Sequence, residues 1–410
     1  MDKKKFIKFF SCLLLIIFTL FSIKIIYNTN LAMDANWFLS WVKEYANKGY
    51  SFTEPDYPPL YLHYLYLLSL IDNFANRTIL VKFLLQLPNF ITQFLFIVVS
   101  TKIILSQNLN KFFSSLLLML IAFNLAIIYN SYVWGQVDIV PTFFVVLSIL
   151  MLIDNKYSFL SIPFFLLGIL TKFQMIAFFP LYFGLLLNRK YRKNLKEHLL
   201  LSFLISINVI LLAFLPFILE GTFKDVVYNG YINASNRYNG LSLSASSIWV
   251  FASEKIGDHN TPLFQNLSLS YPVFRFITYK TFGMFVFSVC NFFIFLKAYN
   301  IRFKRDVFTL LTLSGLIFYL PLTAMHERYL IYTIPMVLIA TIYNKRLFII
   351  SILLTMISFV NMYIWMCPTS HNRLILKVNC ILLILITFWI LFYVLKGKKL
   401  YFFKKSIHNN

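Results

Sequence analysis

The 410-residue chain is 60% hydrophobic and 19% aromatic, with only 13% charged residues and a mean hydropathy of +0.74. Soluble domains carry about a quarter charged residues, so a soluble fold is excluded and a polytopic membrane protein is implied. The net charge of +22 does not point to nucleic acid, because the basic residues gather in short loops.

Those loops are "KKKFIK" at the start, "NRKYRKNLKEH" at 188–198, "KAYNIRFKRD" at 297–306, "NKR" at 344–346 and "KGKKLYFFKK" near the end. Segments 28–57 and 220–272 carry four carboxylates each, against two and three basic residues. By the positive-inside bias both termini are cytoplasmic and these two acidic segments are outer loops.

In chain order, the apolar run 9–27 is long and lacks a small-residue cleavage site, so it reads as an uncleaved first span. The first outer loop, about 28–57, opens at Asp34, with Trp37, Trp41 and Tyr45 at helical spacing behind it. The segment "YPPLYLHYLYLLSLI" at 57–71 is apolar enough either to cross or to lie along the surface. Spans follow near 79–105, 112–129 and 137–153. The run 158–187 exceeds the ~20 residues of one crossing and is interrupted by "GILTKFQ", which predicts two short spans meeting at Thr171–Gln174 on the outer side. After the span at 199–219 comes the large outer loop, about 220–272, and then spans near 274–296, 307–323, 329–343, 347–366 and 374–395. No internal repeat, low-complexity tract or soluble domain is visible, so the expected fold is one all-α polytopic membrane domain over 1–410. Cys12, Cys290 and Cys380 lie in apolar spans and Cys367 in an outer loop, with no disulfide or metal pattern.

This topology puts five polar clusters on the outer side or its interface: Asp34, "EPDYPPLY" at 54–61, "YVWGQVDIVP" at 132–141, "LTKFQMIAFFP" at 170–180 and "LTAMHERYLIYTIP" at 322–335. Each has a bland reading. Asp34 could be a solvated loop residue, the paired prolines a rigid turn, Gln136 and Asp138 helix caps, Lys172 a snorkelling cation and His326-Glu327-Arg328 a tight turn. Ionisable residues near membrane depth are costly, however, and five clusters on one face favour function. Lys172, Arg328 and His326 offer point and forked cations for a phosphate. A carboxylate on the same side can take a proton from an attacking hydroxyl. A phosphate leaves as a stable anion, so one base suffices where glycoside hydrolysis needs two carboxylates. One outer aspartate with outer cations therefore fits glycosyl transfer from a lipid-linked sugar phosphate.

At these residues the chain resembles the GT-C superfamily of membrane glycosyltransferases. It is most similar to bacterial proteins related to the second mannosyltransferase of GPI-anchor synthesis, and it also resembles the dolichyl-phosphate-glucose-dependent glucosyltransferases. "DYPPLYLHY" at 56–64, "WGQVD" at 134–138, "TKFQMIAFFP" at 171–180 and "MHERY" at 325–329 look like family segments and occur in family order. The resemblance implies a GT-C-like bundle of about 11–13 transmembrane helices with an interfacial helix in the first outer loop, bearing Trp37, Trp41 and Tyr45 on one face. It implies an inverting transfer on the outer face of a hexose, mannose or glucose first, from a polyprenyl-phosphate donor to a cell-surface glycan or glycolipid. Asp34 matches the catalytic aspartate; Lys172, His326 and Arg328 would lie near the lipid phosphate. Asp56, Tyr57, Gln136, Asp138, Gln174, Glu327 and Trp249 would contact donor or acceptor. No cofactor or metal is called for, and the composition suggests a bacterial plasma membrane. The chain departs from its relatives at 244–249, where "SASSIW" keeps Trp249 without the asparagines. The competing readings are a lipid-linked oligosaccharide flippase or transporter, which predicts midplane charges and half-chain symmetry, and a polysaccharide polymerase, which usually uses several outer-loop arginines where the large loop here has only Arg237.

Overall fold

The computed structural model describes residues 2–30, 33–71, 74–154, 156–233, 237–253, 255–263 and 276–396. Its helices are α1 (Lys3–Asn28), α2 (Met33–Lys48), α3 (Pro59–Ser69), α4 (Thr78–Ser106), α5 (Lys111–Ala122), α6 (Leu125–Ile128), α7 (Ile139–Ile153), α8 (Ser161–Thr171) and α9 (Phe179–Leu187). They continue as α10 (Arg189–Lys196), α11 (Leu199–Leu219), α12 (Phe223–Val227), α13 (Tyr279–Tyr299), α14 (Lys304–Tyr319), α15 (Thr333–Tyr343), α16 (Phe348–Met366) and α17 (Asn372–Lys396). Among the described residues the strands are β1 (Ser242–Leu243) and β2 (Met325–His326), paired in parallel. Among the described residues, seven helical runs are long and apolar enough to cross a membrane: Lys3–Asn28, Thr78–Ser106, Lys111–Val133, Leu199–Leu219, Tyr279–Tyr299, Lys345–Met366 and Asn372–Lys396. Four shorter apolar helices accompany them, at Ile139–Ile153, Ser158–Thr171, Phe173–Leu187 and Tyr329–Tyr343. The chain is an all-α protein whose helices fit a multi-pass membrane protein.

Two compact units divide the chain, the first from Met1–Phe179 and Arg189–Tyr238, the second from Pro180–Asn188 and Asn239–Asn410. In the first, α1 is apolar all round but buries only one stripe, Ile7, Ser11, Leu14, Phe18, Ser22 and Ile26, at three- and four-residue spacing. Much of its remaining surface, including Phe9, Ile16 and Leu20, is exposed, as a lipid-facing helix requires. The buried stripe admits small polar residues: Ser11 Oγ lies 2.8 Å from Thr101 Oγ1 of α4. Helices α7 and α8 are tied by the Ser161 hydroxyl, which donates to the Ser148 carbonyl.

Segment 57–71 forms α3, in which Pro58 is extended and Pro59 takes the first helical turn, where its missing N–H costs nothing. At 11 residues α3 is about 16 Å long, well short of the ~30 Å hydrocarbon core, so it does not cross as one straight helix. Instead Leu62 and Leu65 bury against α2, whose Phe38 meets the Tyr61 ring edge-on at 5.0 Å between centroids. The predicted interruption of 158–187 is present. Helix α8 stops at Thr171, Lys172 is extended (φ −154°, ψ 123°), and a tight turn over Phe173–Phe178 leads into α9.

The aromatic stripe of α2 is corrected. Trp37 is 61% exposed, whereas Tyr45 is 1% exposed and packs inward with Ala35, Phe38 and Val42. Each four-residue step turns a helix about 40° past a full turn, so Trp37 and Tyr45 point to different faces, with half-buried Trp41 between them.

In the second unit α14 is buried from Val307 to Tyr319 and α15 from Thr333 to Ile342. A buried polar network ties the "SASSIW" segment to this core. The Tyr319 hydroxyl accepts from Ser246 N at 2.9 Å and from Asn361 Nδ2 at 2.9 Å. Asn361 Oδ1 accepts from the Ser246 hydroxyl at 2.7 Å and from Asn379 Nδ2 at 3.1 Å. Substituting Asn361→Leu strands these groups in an apolar core, and is expected to cost about 1–3 kcal/mol. A thermal unfolding midpoint in detergent equal to that of the unsubstituted protein would contradict this account of the network.

Candidate functional site

The polar centre of the first unit is built by one irregular turn. Residues Tyr129–Val133 form a widened helical turn, closed by Trp134 N donating to Tyr129 O at 2.8 Å. Gly135 then turns the chain with φ +81°, a region L side chains rarely adopt. A Cβ at this position would stand 2.8 Å from Ala35 Cβ, so glycine also lets the loop lie directly against the start of α2. That approach brings two donors onto one carboxylate oxygen: Trp134 Nε1 at 2.6 Å and Gln136 Nε2 at 2.7 Å from Asp34 Oδ2.

The other end of the Gln136 amide faces a cation. Its Oε1 accepts from Lys172 Nζ at 3.2 Å and from the Tyr57 hydroxyl at 2.9 Å. Lys172 Nζ also forms an ion pair with Asp138 Oδ1, and Asn130 Nδ2 donates to Asp138 Oδ2 at 3.1 Å. The ammonium stands 5.2 Å from the centroid of the Tyr57 ring, within cation–π range. Asn89 Nδ2 fixes the turn by donating to the Gln136 carbonyl at 2.8 Å. Gln136, Asp138, Lys172, Tyr57 and Trp134 are all buried, and Asp34 is half-buried at the edge of the cluster.

This arrangement decides between readings that the sequence leaves level. Asp138 precedes α7 but makes no side-chain cap bond; its carboxylate is turned to Lys172. Lys172 does not snorkel outward, being 4% exposed. Gln174 is half-buried two residues beyond it in the Phe173–Phe178 turn. Asp56 forms an ion pair with Arg237 at the surface of the same unit, and Gly230 lies against the Tyr57 carbonyl, where a Cβ would come within 2.9 Å.

In the second unit, β2 presents the His326-Glu327-Arg328 triplet. Its backbone is held by Ala324 N donating to Gly240 O and Leu241 O, and by Glu327 N donating to Leu243 O, each at 3.1 Å. Ala324 and Ser244 are both left-handed at φ +56°. Glu327 is buried between its neighbours, with Arg328 Nη1 at 2.8 Å and His326 Nδ1 at 3.5 Å. Burial by itself raises this carboxyl; the His326 hydrogen bond and the Arg328 and His326 charges outweigh burial and hold it below its ordinary value. Trp249 is buried, with its indole N–H donated to the Pro321 carbonyl at 2.8 Å, which leaves its ring as its means of contact.

Sequence reasoning named Asp34, Tyr57, Gln136, Asp138 and Lys172, which the fold brings together, but it gave no role to Trp134, Asn130 or Asn89. Trp134 lay inside the quoted "WGQVD" segment, and the signal for Asn89 and Asn130 was an amide inside an apolar run. Among the described residues no group of three or more His, Cys, Asp or Glu could hold a metal. No family model matches the chain, and no curated protein matches it.

Two expectations follow. Lys172→Met leaves a buried Asp138 charge without its ion-pair partner and should destabilise the protein by about 3–5 kcal/mol, while adding Asp138→Leu should recover most of that loss in thermal unfolding. Equal destabilisation by single and double variants would argue against the pair. For Glu327, a carboxyl depressed in the folded state contributes stability that is complete above the ordinary value of 4.5 and is lost as pH falls through the lower folded value. Glu327→Gln should flatten the acid side of the stability profile below that pH, and a variant with an unaltered acid side would refute the assignment.

Proposed function

We propose that the protein is an inverting glycosyltransferase of the GT-C type. It would move a hexose, mannose or glucose first, from a polyprenyl-phosphate donor to a glycan or glycolipid acceptor on the outer face of the membrane. The observation that carries the reading is the seating of Asp34: two N–H donors from one loop hold its Oδ2, and the same loop's Gln136 touches the Lys172 ammonium. A base fixed in this way can accept the proton of an acceptor hydroxyl as its oxygen attacks the anomeric carbon. The bond from that carbon to the phosphate oxygen breaks, the sugar inverts, and polyprenyl phosphate leaves as an anion that a cation such as Lys172 stabilises. For the second unit the same reading assigns donor-phosphate contact to His326 and Arg328, from their motif and not from placement. The 11–13 spans, cytoplasmic termini and bacterial plasma membrane belong to this proposal. The multi-pass, all-α character supports it, as does the gathering of polar residues around the "WGQVD" turn.

Purified protein given a panel of polyprenyl-phosphate hexoses with candidate acceptors is expected to turn over one donor. Asp34→Asn should lower that turnover about 10²–10⁴-fold while donor binding persists. Turnover unchanged in this variant would remove Asp34 as the base.

A further inference from the structure

The second unit contains a pocket of about 440 Å³ that the transferase reading does not use. It opens where the Cys367–His371 turn joins α16 to α17, and Ser244 forms part of its wall. Its volume lies within the range of small-ligand sites, roughly 300–1,000 Å³.

The lining chemistry selects the sign of a ligand. Arg373 supplies a guanidinium, Ser244, Thr369 and Ser370 supply hydroxyls, and no acidic side chain lines the pocket. Arg373 is exposed and makes no ion pair with the described residues. A forked cation among hydroxyls, with no carboxylate to neutralise it, suits a phosphate group. Trp365 adds an indole to the wall, an apolar surface for the organic part of an ester.

The wall is preorganised. Asn372 Oδ1 accepts from Thr369 N at 3.0 Å and from the Thr369 hydroxyl at 2.6 Å, while its Nδ2 donates to the Ile364 carbonyl at 2.7 Å. Asn372 thus braces the turn and the end of α16 without being consumed by a ligand. Ser244 holds the strained left-handed conformation and bridges through its backbone to His326. Strained non-glycine residues of this kind persist where surrounding structure over-determines them, often at ligand sites.

Position adds a separate argument. Lys345 and Arg346 precede α16 and Lys396 ends α17, so Arg373 stands at the opposite end of this helix pair from those cations. The positive-inside bias collects cations at one end; Arg373 runs against it, as does Lys377 one turn further on, and of the two Arg373 is the one that lines the pocket, where an anionic ligand accounts for it.

We propose that this pocket is a binding site for an anionic phosphate ester, supplied either by a lipid headgroup or by a soluble ester, with Arg373 as its charged contact. The site stands whether or not the transferase reading does.

Two arms test it and separate the sources. Protein in phosphatidylcholine nanodiscs is titrated with sn-glycerol 3-phosphate by calorimetry, and detergent-solubilised protein is exposed to phosphatidylglycerol against phosphatidylcholine in native mass spectrometry. Saturable binding in the first arm identifies a soluble ester, and selective retention of phosphatidylglycerol in the second identifies a headgroup; either supports the site. Arg373→Gln should weaken the observed binding at least tenfold, and Lys377→Gln, one turn further along α17 and outside the lining, should leave it unchanged. Absence of binding in both arms, binding indifferent to Arg373→Gln, or equal weakening by Lys377→Gln would overturn the proposal.

Discussion

The polar centre of the first unit depends on the orientation of one primary amide. Gln136 turns its nitrogen to Asp34 and its oxygen to Lys172 and Tyr57. Reversing the amide would set a donor against an ammonium and an acceptor against a carboxylate, so the charges on either side select one orientation. The Lys172–Asp138 pair is itself buried, and ions taken out of water need both each other and further hydrogen bonds. Asn130 and Gln136 supply those bonds. The cluster is therefore a chain of mutually required groups rather than a collection of polar side chains.

Backbone irregularity makes that chain reachable. Polar side chains on regular helices point along fixed directions, and a carboxylate, an amide and an ammonium from different segments converge only where helices stop. The widened turn at Tyr129–Val133, the left-handed Gly135 and the extended Lys172 are three such stops. In a membrane, non-helical backbone is tolerated where protein buries it, and here it is buried by α2 and by the Asn89 amide. The second unit shows the same economy: two left-handed residues, Ser244 and Ala324, bracket the short strand pair that carries His326.

Much of the fold was legible because hydrophobic length is a strong signal. Apolar runs marked all seven long helices, and "GILTKFQ" marked the break before α9. The same signal was silent about α3, because a run rich in Tyr and Leu reads alike on a short buried helix and on a crossing one. It misled on the α2 aromatics, whose four-residue spacing drifts around the helix and leaves Trp37 outward and Tyr45 inward.

The sequence by itself determined an all-α, membrane-type chain and the residue types of its polar clusters, since composition and the cost of charge in an apolar run are local properties. Which of those residues meet was decided by tertiary structure. Asp138 could have capped α7 and Lys172 could have reached outward; each is instead satisfied by the other, over a sequence separation of 34 residues. Trp134 became a partner of Asp34 only through the close approach that Gly135 permits, across 100 residues of chain. Pairings of that range depend on how helices stop and pack, which no spacing within a single segment encodes.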